Sequence, residues 1–288
     1  MIYHYTTLQA LNAILSDYRT SDDKEHLVFW ASSAYAMNDS TELYYGWEIL
    51  QENFVKYEEE NQVETQKKLS IQMEKFATSD LSDIFFQHFY REEQIPYILS
   101  FSKNRDDLPM WSMYGGNGMG ICIGIDERRL LVPKDPFIAT QLLSVLYINH
   151  NDNSEETRNA MYLAMSEVYK NYLSAEHNSD LDKITAIATA LPYFSAYIKN
   201  DSFKYEHEVR QPLLLPSNQA KENLFFRLSQ SGNMIPYVKV PIPKECLQEI
   251  IIGPCVQPDV IKRGLESLFS ICDTNVNISF SDVPYRQY

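Results

Sequence analysis

The stretch from Lys204 to Arg210 constrains this chain most, because charged residues recur at every second position ahead of three consecutive leucines. Such alternation is typical of a β-strand, in which successive side chains point to opposite faces of a sheet. Glu206, Glu208 and Arg210 would then share one face. The other face would carry Tyr205, His207 and Val209. The stretch therefore predicts a strand with two carboxylates and a guanidinium on one surface.

This charged face has a specific chemistry. Like charges at neighbouring positions repel and raise the pKa of at least one carboxyl group, whereas the arginine lowers it again. A carboxylate held in this way is suited to binding a ligand hydroxyl. The alternative is a solvated strand face with an ordinary salt bridge, because structural ion pairs produce the same pattern. The stretch alone leaves both interpretations open.

Charge and hydropathy restrict the class of protein. The 288 residues carry a formal net charge of −14, and the sequence pI is near 4.9. This balance opposes the phosphate attraction behind non-specific nucleic-acid binding, so nucleic acid would require a local basic patch. No stretch approaches the roughly 20 consecutive apolar residues of a membrane span, and the first residues do not resemble a signal peptide. We expect a cytoplasmic protein without a membrane partner.

The cysteines are scattered and form no CxxC pair; they are Cys122, Cys246, Cys255 and Cys272. This spacing disfavours both a zinc cage and a secreted disulfide framework. We therefore expect reduced, mostly buried thiols, and we predict no metal site.

The pattern of apolar residues predicts an α+β fold with a mixed, mainly antiparallel sheet. Besides the charged strand, predicted strands cover 2–6, 27–32, 97–102, 119–125, 142–149, 237–241, 249–254 and 276–280. Helical stretches are expected at about 41–90 and 150–200, the second with one stripe of Met161, Met165, Val168 and Tyr172 and another of Ile184, Ile187 and Leu191. A late strand, helix and strand predict one parallel pair. We expect one elaborated domain over 1–288.

Glycines mark a second informative stretch, which follows a short helix predicted to begin near Pro109. From 119 to 125, Met119, Ile121, Ile123 and Ile125 would occupy one face of a strand and leave the glycine-rich face nearly bare. Repeated glycine on one face indicates close approach of a backbone, a helix or a ligand. The spacing does not fit a phosphate-binding loop, since no strand directly precedes these glycines and no lysine follows them.

Several short motifs together resemble an uncharacterised bacterial family, domain of unknown function 2971. The motifs are Tyr3-His4-Tyr5-Thr6-Thr7-Leu8, Met37-Asn38-Asp39, Ser100-Phe101-Ser102, Met110-Trp111 with Tyr114, and Tyr205-Glu206-His207-Glu208-Val209-Arg210. The set covers most of the chain apart from the two helical stretches. This resemblance implies no particular activity.

The order of a histidine on the first strand, a mid-chain aromatic residue and a late glutamate also resembles the His-Tyr-Glu order of ADP-ribosyltransferases. The resemblance implies that His4 binds the ribose of NAD, Tyr114 stacks on nicotinamide, and Glu208 stabilises the oxocarbenium-like transition state. Glu206 resembles the first member of a paired-glutamate motif. The remaining candidates for NAD binding are Tyr5, Thr6, Ser100, Trp111 and Arg210, of which Tyr5 and Trp111 are alternatives to Tyr114 for stacking.

The same residues suit the cleavage of NAD on chemical grounds alone, independently of any family resemblance. Cleavage of the N-glycosidic bond of NAD develops positive charge on the ribose, which a nearby carboxylate stabilises. Glycoside hydrolysis fits less well, because carboxyl groups at i and i+2 of one strand do not flank a sugar ring from opposite sides.

We therefore expect an NAD-dependent ADP-ribosyltransferase-like enzyme or NAD glycohydrolase, with an ADP-ribosyltransferase-like core and a protein or nucleic acid as acceptor. A bacterial toxin or phage-defence effector is the setting expected for this class of enzyme. The alternative is a non-catalytic module that binds a nucleotide or a protein partner. A single dinucleotide site predicts that His4 and Glu208 lie within one ligand's reach of each other.

Overall fold

A computed structural model describes residues 1–37, 42–71, 95–130, 141–149, 154–174, 190, 192–216, 219–229, 232–254 and 257–285. Its strands are β1 (Ile2–Thr6), β2 (His26–Ser33), β3 (Tyr97–Ser102), β4 (Ile121–Ile125), β5 (Leu143–Ser144), β6 (Leu146–Ile148), β7 (Ile198–Asn200), β8 (Glu208–Leu213), β9 (Leu224–Leu228), β10 (Met234–Pro243), β11 (Leu247–Ile252) and β12 (Asn277–Phe280). Its α-helices are α1 (Leu8–Thr20), α2 (Glu42–Glu60), α3 (Leu108–Met113), α4 (Glu155–Ser174), α5 (Ala220–Asn223) and α6 (Pro258–Ile271).

Most of the strands form one mainly antiparallel sheet in the order β12-β11-β4-β1-β3-β2-β10-β9. The sheet branches at β3, which pairs with β8 along its whole length. On the opposite edge, β3 meets β1 at Ser102 and β2 at Tyr97 and Ile98. The predicted mixed, mainly antiparallel α+β architecture is confirmed. The predicted parallel pair is also confirmed, since β11 and β12 run parallel on either side of α6 in the chain.

The larger apolar core lies on one face of this sheet, and a smaller buried cluster around Trp111 lies on the other. Alternate residues of the strands, such as Phe29, Phe101 and Val209, pack in the larger core against α1 and α6. Ile121, Ile123 and Ile125 of β4 also join this core, as the alternation predicts, but Met119 precedes the strand and is exposed. On the bare face of β4, a Cβ atom added to Gly124 would lie 2.6 Å from Glu249 Cγ.

The helical segments form a second core outside the sheet. Helices α2 and α4 pack together around the small parallel sheet of β6 and β7. The predicted stripe of Met161, Met165, Val168 and Tyr172 is buried there. The prediction of helix through Lys199 is wrong, because Ile198 to Asn200 pair with β6 instead. The second predicted stripe, with Ile184, Ile187 and Leu191, and the predicted loop at 38–40 lie outside the described residues.

Three of the cysteines, Cys122, Cys246 and Cys272, are free and buried, while Cys255 lies outside the described residues. None of the described helices combines membrane-spanning length with a sufficiently apolar composition.

Candidate functional site

The charged stretch is only partly a strand. Residues Asp201–Glu206 form a 3₁₀ turn, and His207 adopts the left-handed conformation with φ of 43° before β8 begins at Glu208. The prediction that Glu206 lies on the strand is therefore wrong, because the left-handed residue interrupts the extended backbone. Glu208 and Arg210 share one strand face, as predicted.

The turn nevertheless brings Glu206 back to the strand, and Lys199 joins the two glutamates. Lys199 Nζ lies 2.6 Å from Glu206 Oε2 and 3.3 Å from Glu208 Oε2. Arg210 Nη2 donates to Glu208 Oε2 at 2.8 Å. The four residues are nearly inaccessible to water, with exposed fractions of 3% for Lys199, 1% for Glu206, 6% for Glu208 and 0% for Arg210. We call them the ion cluster.

Neighbouring elements hold the ion cluster in place. The hydroxyl of Tyr114, just after α3, donates to Glu206 Oε1 at 2.7 Å. Arg210 Nη1 donates to the carbonyl oxygen of Ala196 at 2.6 Å. The backbone N–H of Glu208 donates to the hydroxyl oxygen of Tyr147 at 2.8 Å. The ion cluster is therefore enclosed between β8, β6, the residues that lead into β7 and the segment after α3.

Burial dominates the electrostatics of Glu208. It raises the pKa of Glu208 to about 7, against the lowering effect of Lys199 and with a further increase from the charge of Glu206. Burial alone would lower the pKa of Lys199, but the two carboxylates outweigh it and raise that pKa. Burial, followed by the charge of Glu206, raises the pKa of Tyr114, so this hydroxyl remains a donor. Glu208 is thus placed to change its protonation state near neutral pH.

The two oxygens of Glu208 differ in their partners. Both Lys199 and Arg210 contact Oε2, and among the described residues no hydrogen bond reaches Oε1. The Ser100 hydroxyl is close enough to lower the pKa of Glu208, yet it does not attain hydrogen-bonding geometry with any described residue. Oε1 of Glu208 therefore has no cation partner among the described residues.

His4 does not belong to this site. Directly opposed residues of antiparallel strands share a face, and the register places Tyr3, Ser102 and Glu208 in one row. His4 therefore points to the opposite face, where it packs edge-on against Phe29 and Phe101. The predicted convergence of His4 and Glu208 is therefore wrong. The register of β1 against β3 and the register of β3 against β8 together place the two side chains on opposite faces of the sheet.

The surroundings of His4 are those of a core histidine. Its Nδ1 lies 2.9 Å from the carbonyl oxygen of Ser100 and donates to it. Burial lowers the pKa of His4, despite the opposing effect of this hydrogen bond. A neutral imidazole with a satisfied donor is therefore expected at neutral pH.

The other predicted ligand residues have structural partners. The hydroxyl of Tyr5 donates to the Asn104 carbonyl oxygen at 3.0 Å, and its ring packs edge-on against Trp111. Trp111 is fully buried, and its indole N–H donates to Asp106 Oδ1 at 2.6 Å. Thr6 pairs with Ile121 in the sheet. Of the predicted aromatic residues, Tyr114 alone contacts a cluster carboxylate among the described residues.

Sequence reasoning missed Lys199 and Tyr147. The sequence predicts Lys199 in a helix, and no local pattern marks this lysine as buried. Tyr147 contacts the Glu208 backbone across 61 positions, and no local pattern predicts that. No group of three or more His, Cys, Asp or Glu side chains suited to a metal ion occurs in the part of the chain that the structure describes.

Residues 110–211 match a family model described as "Protein of unknown function (DUF2971)". The resemblance inferred from the sequence is confirmed over this range, which contains Tyr114 and the whole ion cluster. The motifs before Met110 lie outside the match. No curated protein and no solved structure matches the chain.

Proposed function

We propose that the ion cluster cleaves the N-glycosidic bond of NAD and passes ADP-ribose to an acceptor or to water. In this proposal the sheet is an ADP-ribosyltransferase-like core, Glu208 is the catalytic carboxylate and Tyr114 lies beside the nicotinamide. His4 has no part in it, since its side chain lies on the other face of the sheet. The acceptor is a protein or a nucleic acid.

The hydrogen bond between Tyr114 and Glu206 is the observation that carries the proposal. It joins two residues 92 positions apart and places an aromatic ring beside two carboxylates. The resemblance to ADP-ribosyltransferases implies that these residue types stack on nicotinamide and stabilise charge. Their meeting at one buried cluster supports the proposal, because a carboxylate that stabilises charge on the ribose must lie close to the residue that holds the nicotinamide.

The contacts within the ion cluster suggest a different role for each of its residues. Glu206 uses both oxygens, one for Tyr114 and one for Lys199. Glu208 uses only Oε2 for its cations, so Oε1 is the oxygen that accepts a ribose hydroxyl. As positive charge develops on the ribose, the ionised Glu208 stabilises it in a site that excludes water. Lys199 and Arg210 keep this carboxylate in place.

The Glu208→Gln variant tests the assignment. The amide preserves the shape of the side chain but removes the charge that acts only in the transition state. We expect nicotinamide release to slow by on the order of 10²-fold or more, with NAD binding retained. Glu206→Gln is expected to have a smaller effect, because Glu206 acts through Tyr114 and Lys199. The measurement is nicotinamide release with several protein and nucleic-acid acceptors, together with NAD affinity.

Glu249→Gln is the matched control. Glu249 lies on the same sheet face as Glu208 and is ion-paired with Arg105, but it lies near Tyr3 and Gly124, outside the cluster. Its replacement should leave turnover unchanged. Equal turnover in the wild type and Glu208→Gln would remove Glu208 from the mechanism.

A separate observation favours a binding module. Two carboxylates and two cations already neutralise one another within the ion cluster, as they would in a cluster that only shapes a binding surface. This alternative predicts retention of NAD or another nucleotide without nicotinamide release. Binding of that kind in the wild type, with all acceptors tested, would support the module over the enzyme.

A further inference from the structure

Strand β9 forms one edge of the large sheet. Its residues pair with β10, and no other described strand pairs with its outer side. Natural edge strands usually carry an outward lysine, a proline or a bulge that prevents pairing with another chain. The charged residue within β9 is Arg227, and its guanidinium donates to Ser32 Oγ at 3.0 Å. Its side chain is therefore directed back to the sheet.

The same edge exposes large apolar side chains. Phe226 is 54% exposed, Leu228 67% and Met234 63%. The register opposes Met234 to Leu228 and Pro236 to Phe226, so the three exposed side chains share one face. Contiguous exposed apolar side chains of this kind mark interaction surfaces.

The backbone of β9 also has groups directed outward. Pro236 has no N–H, so Phe226 and Pro236 must be a non-hydrogen-bonded pair of the antiparallel ladder. The bond from Ser229 N–H to the Asn233 carbonyl oxygen likewise makes Leu228 and Met234 a non-hydrogen-bonded pair. In such pairs the N–H and C=O groups point away from the partner strand. Those of Phe226 and Leu228 thus face away from β10, toward the side where no described strand pairs with β9.

The sequence of β9 is complementary to itself in antiparallel pairing. With Phe226 at the centre, Phe226 lies opposite Phe226 of a second copy, and Leu224 lies opposite Leu228. Both pairs fall on the face that carries Phe226 and Leu228, although Leu224 itself is partly buried against the sheet core. On the other face Phe225 lies opposite Arg227, so no like charges are opposed. The outward groups of Phe226 then bond to their equivalents, and Leu228 N–H bonds to the Leu224 carbonyl oxygen.

We propose that the chain forms a two-fold symmetric dimer in which the β9 strands of two copies pair antiparallel about Phe226. The symmetry follows from the palindromic pattern, because a two-fold interface brings the same patch of each copy together. A five-residue strand pair buries less surface than a standard interface, so we expect a dissociation constant in the micromolar range. Each copy carries a net charge of −14, and added salt should strengthen the dimer by screening repulsion.

Sedimentation equilibrium of the full chain, between about 1 and 200 μM protein and at two salt concentrations, tests the dimer. Phe226→Lys adds a charge at the two-fold axis, and Leu228→Pro removes an outward N–H that the native sheet does not use. Each should raise the dissociation constant at least tenfold without changing the circular dichroism spectrum. Leu163→Lys is the matched control, since Leu163 is 65% exposed on α4. The dissociation constant of the Leu163→Lys dimer should equal that of the wild type.

A cysteine substitution tests the register. A hydrogen-bonded pair places Cα atoms about 5.5 Å apart, which lies within the range of a disulfide. Phe226→Cys should therefore cross-link under mild oxidation, whereas Leu163→Cys should not. A wild type that remains monomeric throughout the concentration range would overturn the proposal. A dimer that is indifferent to both β9 substitutions would also overturn it and would place the interface elsewhere.

Discussion

On one face of β8, Val209 and Leu213 pack into the apolar core, whereas on the other face Glu208 and Arg210 meet Lys199 in the ion cluster. Both faces are buried, because the sheet core covers one, while β6, β7 and the segment after α3 cover the other. The apolar face is stabilised by area removed from water. The charged face persists because two carboxylates and two cations compensate one another's desolvation. The two faces of β8 are thus both buried but are stabilised by different interactions, apolar packing on one and ion pairs on the other.

The Arg210→Met variant should reveal this difference most clearly. It leaves Glu208 buried with one cation fewer, and breaking a buried ion pair costs about 3–5 kcal/mol of unfolding free energy. Urea unfolding measures the loss. Glu208→Gln in the same chain should restore part of it, because the uncompensated carboxylate is then absent. Additive losses in the double variant would show that the two side chains do not act as a pair.

The Leu213→Ala variant probes the apolar face of the same strand. Removing a fully buried leucine side chain leaves a cavity and should cost about 2–4 kcal/mol. Because no charge is involved, the loss should be the same at pH 5 and pH 8. A pH-dependent loss in urea titrations would mean that the two faces are electrostatically coupled.

The pH dependence of stability should also distinguish the charged face of β8 from its apolar face. The pKa of Glu208 is raised from 4.5 to about 7 in the folded protein. A raised carboxyl pKa favours the folded state below pH 4.5, and this contribution disappears as the pH rises toward 7. The unfolding free energy of the wild type, relative to Glu208→Gln, should therefore fall across this window and remain level above it. A relative increase over the same window would contradict the raised pKa.

The smallest effect is expected for His4→Phe, on the apolar face. The ring still packs against Phe29 and Phe101, while the hydrogen bond to the Ser100 carbonyl oxygen is lost, at a cost of about 1 kcal/mol. Thermal unfolding would report this loss. Nicotinamide release, where the wild type shows it, should remain within about twofold. A loss of turnover comparable to that of Glu208→Gln would return His4 to the site and refute its separation from Glu208.

The alternation of side chains predicted most strands of the large sheet but missed β9. Strands β1 and β3 have the predicted bounds, and β4 presents Ile121, Ile123 and Ile125 to the core as expected. The α+β class and the parallel pair β11–β12 were also predicted, because periodicity and connection rules act over short distances. The pairing of Glu208 with Arg210 belongs to this group, since residues two apart on a strand share a face.

Long-range contacts decided the composition of the site. Lys199 and Tyr114 reach Glu206 from other elements, and the left-handed turn at His207 returns Glu206 to the cluster after interrupting the strand. The side of the sheet on which His4 lies depends on the register of β1 against β3 and of β3 against β8. A slip of one residue in either register would invert that side. The local sequence determines which side chains alternate, but only the paired strands determine which of them meet.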